Sequence, residues 1–177
     1  MDEKELFERC RRFHGHVCGG LMIGFRASLY AAELLGTDLS EDEELVCIAE
    51  NDACGVDAIQ AVLGCSIGKG NLLFHMTGKQ AFSFYDRRSG KSVRLVLKPS
   101  PAGKTRAEMP EYYRSVPVTE MFDVKPTTLG VPEHAHIFES FICDGCGEQT
   151  GSEWVTLVGG RKLCLDCHKK YDRFHIG

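Results

Sequence analysis

Four cysteines near the end of the chain have the spacing of a metal-binding module. They form two CxxC pairs, Cys143 with Cys146 and Cys164 with Cys167. Two thiolates at this spacing converge on one side of a tight turn, and two such turns complete the tetrahedral four-sulfur shell that Zn²⁺ prefers. Between the pairs, WVTLVGGRKL has the pattern of a hairpin, and HKKYDRFH after them has the composition of a short helix. The sequence therefore predicts a treble-clef or ribbon-type zinc module, with rubredoxin-like iron as the alternative.

This predicted zinc module is expected to be structural. Four protein sulfurs close the coordination shell, which leaves no position for a substrate, and so small a module needs its metal to fold. Residues 141–177 carry as many acidic as basic side chains, so no basic face is evident for nucleic acid. Protein contact or stabilisation of a homodimer is the expected role.

A second group of metal-ligand side chains lies in the run CRRFHGHVCGG at 10–20. If residues 13–18 are extended, the two-residue period of a strand places His14, His16 and Cys18 on one face. Cys18 then precedes a long helix, and Cys54 in NDACG precedes another, where helix dipoles favour a thiolate. We expect these four side chains to hold a second divalent ion, Zn²⁺ or Ni²⁺. A nearby carboxylate, such as that of Asp57, would orient a ligand or relay protons.

Alternatives remain for this N-terminal group. Cys18, Cys54 and His14, with Asp57, are the candidates for catalysis if the site is enzymatic. Without a metal, Cys18 and Cys54 could instead cycle between dithiol and disulfide. A purely structural role is the third interpretation, since a buried cysteine is commonly a small hydrophobic residue; that is the prediction for Cys47.

The segment CSIGKGN at 65–71 is a further candidate for binding a cofactor. Glycines flanking Lys69 could present backbone amides and a cation to an anionic group, with Cys65 beside them. The spacing differs from GxxxxGK[ST], so the segment is not a phosphate-binding P-loop. An ordinary turn fits the same residues.

The elements that must position these side chains follow from periodicity. The pattern predicts helices over 3–12, 21–35 and 56–63, a strand over 45–50, and a hairpin of strands 81–85 and 92–97. Helices mixed with hairpin strands indicate an α+β fold with a mixed helix and antiparallel-sheet core.

The prolines suggest how the chain is divided. All six fall between 99 and 132, and proline lacks a backbone donor, which disfavours long regular elements. The predicted organisation is an α+β core over 1–98, a connecting arm over 99–139 with a short helix near 106–114, and the zinc module over 140–177.

Composition sets the class of protein. The chain has 177 residues, of which 43% are hydrophobic and 26% charged, enough for one ordinary core with a small appendage. A net charge of −4 argues against a dominant binder of nucleic acid or anionic membranes. The acidic N-terminus and the absence of a long apolar run predict a cytoplasmic protein, and nine cysteines there indicate metal or redox chemistry.

The run at 10–20 and DACGVDAIQAVLGCSIGKGNL at 52–72 together resemble the FmdE family, which comprises the FmdE component of formylmethanofuran dehydrogenase and its relatives. GKQAFSFYDRRSGKSVRL at 78–95 and the four-cysteine module are similar to longer members. The resemblance implies an α+β core, a zinc module and an intertwined homodimer. It also implies a metal or reactive centre on the family's cysteine and histidine positions: His14, His16, Cys18, Cys54 and Cys65.

The activity implied by this resemblance is left open. The family is named after an operon for an enzyme that fixes CO₂ with a molybdopterin cofactor. This chain has no CxxCxxC iron–sulfur run and is too small for that enzyme's catalytic component. The expectation is a metalloprotein, either an enzyme with a small-molecule substrate or an accessory component of a larger dehydrogenase complex. A zinc-finger assembly or regulatory protein with an inert core is the alternative.

Overall fold

The computed structural model describes residues 2–37, 41–135 and 137–168, which form two compact units, Met1–Ala135 and His136–Gly177. Unit 1 carries five helices: α1 (Glu3–His14), α2 (Gly19–Leu35), α3 (Gly55–Leu63), α4 (Met109–Ser115) and α5 (Val118–Met121). The first three confirm the helices predicted from periodicity. None of the described helices is long and apolar enough to cross a membrane.

A five-stranded sheet forms the other layer of unit 1. Its strands are β1 (Leu45–Ala49), β2 (Leu72–Phe74), β3 (Ala81–Asp86), β4 (Ser92–Leu97) and β5 (Phe122–Lys125), in the order β2-β1-β3-β4-β5. Only β1 and β2 run parallel; the other neighbours are antiparallel. The predicted hairpin is β3–β4, which turns through Gly90 at φ +71°. The α+β class is therefore confirmed.

The main core lies between this sheet and helices α1 to α3. Strand residues alternate faces, so Phe82, Phe84 and Leu95 pack with helix residues such as Leu21 and Ile59, all of them almost fully buried. The opposite face carries a smaller cluster of Val46, Ile48 and Tyr85, against which Leu129 and Val131 pack. The Tyr85 hydroxyl donates to the Leu129 carbonyl at 2.6 Å. Both faces of the sheet are thus covered within unit 1.

Residues 99–135 belong to unit 1, where the sequence predicted part of a connecting arm. Arg26 on α2 donates to the carbonyls of Tyr113, Arg114 and Val116, which holds the end of α4 against α2. Strand β5 then pairs with β4 and extends the sheet. Pro110 lies at the start of α4 and Pro117 caps α5. A helix start has no need of the backbone donor that proline lacks, so these prolines begin helices.

Unit 2 consists of two small hairpins. They are formed by β6 (Ser140–Ile142) with β7 (Gln149–Gly151), and by β8 (Val155–Val158) with β9 (Arg161–Cys164). The second is the hairpin predicted from WVTLVGGRKL, and it turns at Gly159 and Gly160, both with positive φ. The helix predicted after Cys167 lies almost wholly outside the described residues.

One ion pair is enclosed by the sheet of unit 1. Arg94 on β4 donates to both carboxylate oxygens of Glu50, Nε to Oε1 at 2.6 Å and Nη2 to Oε2 at 3.0 Å. The Glu50 side chain is only 4% exposed and also accepts from the Thr77 hydroxyl. The hydrogen bonds from Arg94 are the main reason that the pKa of Glu50 lies below its ordinary value.

Replacing Arg94 by methionine should leave the Glu50 carboxylate buried and unpaired, at a cost of about 3 kcal/mol in the free energy of unfolding at pH 7. Because the folded pKa of Glu50 is lowered, its stabilising effect is present above the unfolded pKa of about 4.3 and is lost as pH falls through the folded value. Urea unfolding of both proteins from pH 7 downward measures this difference, which should shrink in acid. Arg88→Met, at an exposed arginine, is the control. A constant difference at all pH values would contradict the assignment to Glu50.

Candidate metal centres

The four cysteines of unit 2 converge. Their sulfur atoms lie within 4.8 Å of one another, and those of Cys146 and Cys164 are 3.9 Å apart. Two sulfurs bound at about 2.3 Å to one tetrahedral ion would be roughly 3.8 Å apart. The four-cysteine group of the sequence prediction therefore has the geometry to hold a metal ion: Cys143, Cys146, Cys164 and Cys167.

Backbone donors prepare one of these sulfurs for a negative charge. Cys143 Sγ accepts from the backbone N–H of Cys164 at 3.2 Å and of Gly145 at 3.4 Å. These hydrogen bonds lower the pKa of the Cys143 thiol to about 6. Hydrogen bonding to Cys143 and the other two sulfurs raises the pKa of Cys167 to about 12. One thiolate is thus favoured among four crowded sulfurs, and a cation would relieve the crowding of further negative charge.

Glycine is required at position 145 because the turn is tight. A Cβ atom there would lie 2.7 Å from Cys167 Sγ and 2.9 Å from Cys167 Cβ. The first CxxC turn therefore lies directly against the second, which is how residues far apart in sequence share one site.

In unit 1, His14, His16 and Cys18 also converge, with one ligand atom from each lying within 4.8 Å of the others. The sequence predicted this grouping from an extended segment, but the backbone differs. Helix α1 continues to His14 and ends at Gly15, whose φ of +87° only glycine adopts readily. The chain then bends, and Cys18 caps the start of α2. A helix end followed by a turn brings the three side chains together.

Asp57 on α3 fixes the orientation of the His14 ring. His14 Nδ1 lies 2.7 Å from Asp57 Oδ2, and His14 Nε2 lies 3.8 Å from Cys18 Sγ. Gln60 donates to the other carboxylate oxygen of Asp57 at 3.4 Å. A proton on Nδ1 donated to Asp57 leaves Nε2 as the free ligand atom, facing Cys18. This is the carboxylate–histidine arrangement that commonly supports a metal-bound histidine.

Cys18 and Cys54 both cap helices, as the sequence predicted, but in different ways. Cys18 Sγ accepts from the Leu21 N–H at 3.3 Å, whereas the Cys54 side chain makes no capping bond. Cys54 approaches Cys18 across Gly20 yet lies outside the group of three ligand atoms. Burial, and then its hydrogen bond with Cys18, raise the pKa of the Cys54 thiol. The expected stabilisation of a thiolate by the helix is outweighed at this cysteine.

The remaining candidates lie apart from this group. Cys65 is fully buried and donates to the Leu45 carbonyl at 3.3 Å, and burial raises its pKa to about 12. Lys69 Nζ donates to the Asp42 carbonyl at 2.8 Å. Cys10 and Cys47 are buried in the core. None of these side chains belongs to the His14 group among the described residues.

Three glycines that the sequence did not single out bring the helices together. Gly20 and Gly24 lie one turn apart on α2, and Gly24 packs directly on Gly55 at the start of α3. This close approach places Cys18 near Cys54 and α3 near His14. The signal in the sequence was the four-residue spacing of Gly20 and Gly24, which permits close helix contact.

Comparison with known proteins follows from this geometry. The family model described as "FmdE, Molybdenum formylmethanofuran dehydrogenase operon" matches residues 13–130. A curated protein of Archaeoglobus fulgidus named "Probable S-adenosyl-L-methionine-binding protein" is 28% identical over 198 aligned residues. The match covers 94% of this chain but 53% of that protein, so the chain spans about half the length of this relative.

A solved structure has a similar fold. The FmdE-like protein of tungsten formylmethanofuran dehydrogenase from Syntrophus aciditrophicus superimposes with a TM-score of 0.67 and 26% sequence identity. The match covers 94% of this chain and 92% of that one, so the similarity extends over both units.

Proposed function

This chain belongs to the FmdE family, and we propose that it is a metalloprotein with two centres of different kinds. The four-cysteine group of unit 2 holds a structural Zn²⁺. The group of His14, His16 and Cys18 in unit 1 holds a second divalent ion, Zn²⁺ or Ni²⁺, at which a small molecule binds.

The observation that carries the proposal is the orientation of His14 by Asp57. A carboxylate 2.7 Å from Nδ1 fixes the tautomer, and Nε2 then faces Cys18 at 3.8 Å. Two ligands on one tetrahedral ion, bound at about 2.1 Å and 2.3 Å, would be roughly 3.6 Å apart. His16 supplies a third ligand atom at this position. The donor set and its spacing both fit a borderline divalent ion.

The two centres differ in what they leave open. Four sulfurs complete a tetrahedral shell in unit 2, as in structural zinc sites. Two imidazoles and one thiolate in unit 1 leave one position, for which Cys54 and a small-molecule ligand are the candidates. A divalent ion there would supply Lewis acidity to that ligand. Asp57 holds the proton of His14, and the Leu21 N–H donates to Cys18 Sγ. These contacts keep His14 and Cys18 in place.

The metal content of the purified chain tests the proposal. Elemental analysis should give two metal ions per chain for the natural sequence and one for the double variant His14→Ala, Cys18→Ser. Asp57→Asn should keep the ligands and lower the affinity of the core ion about 10- to 100-fold, since it removes the partner that orients His14. His75→Ala, at an exposed histidine outside the group, should leave both ions in place.

One ion in the natural chain, unaltered by the double variant, would overturn the core centre. It would favour the alternative of a zinc-finger assembly protein with an inert core. X-ray absorption at the metal edge adds the ligand set, which should include nitrogen and sulfur for the second ion and sulfur alone for the first.

A thiol-redox function is the second candidate, and the hydrogen bond between Cys18 and Cys54 favours it. In this reaction the two thiols form a disulfide and pass two electrons and two protons to a disulfide of a partner. Alkylation of metal-free protein before and after reduction measures the bond. If Cys18 and Cys54 react with the reagent equally well in both samples, the redox function is rejected.

A further inference from the structure

A cleft of about 310 Å³ opens beside the core centre and is bordered by His14 and Cys54. Its volume is at the lower end of the range for small-molecule sites. Its wall comes from the start of α3 and from two segments further along the chain that contribute Ile67 and Phe74. The cleft therefore belongs to unit 1 alone and lies against a proposed metal ligand.

One side of this cleft is apolar. Ile67 is 65% exposed and Phe74 is 41% exposed, although both are large hydrophobic side chains. Val56, in the same lining, is almost fully buried and supports them. Burying the exposed parts of such side chains under a ligand stabilises a complex by about 25 cal/mol per Å² of apolar surface. An aromatic face such as that of Phe74 also attracts a cation placed over the ring.

The other side of the cleft is acidic, and its two carboxylates differ. Both oxygens of Asp57 are engaged, one by His14 and the other by Gln60. The exposed side chain of Asp52 has no polar partner among the residues that the structure describes. No lysine or arginine lines this cleft. The free charge that the cleft offers to a ligand is thus the negative charge of Asp52.

We propose that this cleft binds a small organic cation, with its apolar body against Ile67 and Phe74 and a protonated amine at Asp52. The other end of the molecule is directed toward His14. This inference deepens the proposed function, on which the role of that end rests. An anionic ligand would face two carboxylates, and repulsion between like charges disfavours it.

A set of three probes with the same ring separates charge from shape. Zinc-loaded full-length protein, labelled with ¹⁵N, is titrated at pH 7 with 2-phenylethylamine, 2-phenylethanol and 3-phenylpropionate. The amine should shift the amide resonances of Ile67, Phe74 and Gln60 and bind most tightly, and the carboxylate should bind most weakly. Asp52→Asn should weaken the amine about three- to fivefold and leave the alcohol unchanged.

Glu33→Gln removes the same charge from an exposed position 14 residues into α2, about 21 Å along the helix from its first residue, and should have no effect. Equal binding of the three probes, or an unchanged amine affinity in Asp52→Asn, would overturn the inference. The titration is repeated on the His14→Ala, Cys18→Ser variant. Amine binding that survives there, with a single ion in the natural chain, means that the cation site stands and the proposed core metal fails. The reverse pattern rejects the cation site alone.

Discussion

Replacing Cys143 by serine should release the metal of unit 2 and unfold its two hairpins, while unit 1 stays folded. Cys143 is 1% exposed and its sulfur accepts two backbone hydrogen bonds that join the two CxxC turns. Unit 2 has few other buried side chains to stabilise it: among the described residues Leu163 is the other one. Binding of zinc contributes about 10 to 16 kcal/mol to the folding of small zinc modules, so this is the largest effect that we expect.

The fluorescence of Trp154 measures this unfolding directly. It is the chain's one tryptophan and it lies in unit 2, between β7 and β8. Cys143→Ser, or a strong chelator added to the natural protein, should shift its emission to that of a fully solvated indole. Circular dichroism of the helices, all of which in the described chain belong to unit 1 apart from one 3₁₀ turn, should change little. Cys47→Ala is the control, since this cysteine lies in the core of unit 1. An unchanged emission after removal of all metal would contradict a structural zinc.

Gly24→Ala should be the most damaging single change in unit 1. A Cβ atom on residue 24 would lie 2.0 Å from the Gly55 carbonyl oxygen and 2.5 Å from Gly55 Cα. These are backbone atoms, so the clash is relieved only if α2 and α3 move apart. In an exposed helix the same change would stabilise by about 1 kcal/mol. Here we expect a loss of about 3 kcal/mol, which lowers the melting temperature by roughly 6 to 12 °C.

Thermal unfolding followed by circular dichroism checks this prediction. Gly68→Ala is the matched control, because a Cβ atom there meets no atom within 4 Å and the backbone φ is not positive. Gly24→Ala should also weaken the core metal centre, since the contact of α2 with α3 holds Asp57 against His14 and Cys54 near Cys18. A melting temperature equal to that of the natural protein would show that the two helices do not pack through these glycines.

Periodicity was a good guide to the regular elements of unit 1. Helix α2 ends at Gly36 and α3 at Gly64, both with positive φ, and these stops could be read directly from the sequence. The hairpin of β3 and β4 was equally evident. The stretch from 99 to 135 was not, because α4, α5 and β5 are short and show no period. Its prolines looked like interruptions, but two of them begin helices, and Arg26 from α2 holds the end of α4.

Local spacing also set which ligand atoms could meet. Two cysteines separated by two residues, or His14, His16 and Cys18 within one turn, have little freedom to diverge, because the chain between them is so short. The sequence therefore identified both groups. It indicated the wrong backbone for the second, since an extended segment and a helix end can both bring these three residues to one side. The left-handed Gly15 selects the helix end.

Contacts between distant segments needed the folded chain. Asp57 reaches His14 across 43 positions, and Cys54 approaches Cys18 because Gly24 lies against Gly55. Cys65 was predicted to join the site but is buried at the Leu45 carbonyl. Short-range geometry fixes the ligands within each motif, because few bonds separate them. Which motifs meet, and which carboxylate is left free in a cleft, depends on how helices and sheet pack, and no pattern along the chain specifies that packing.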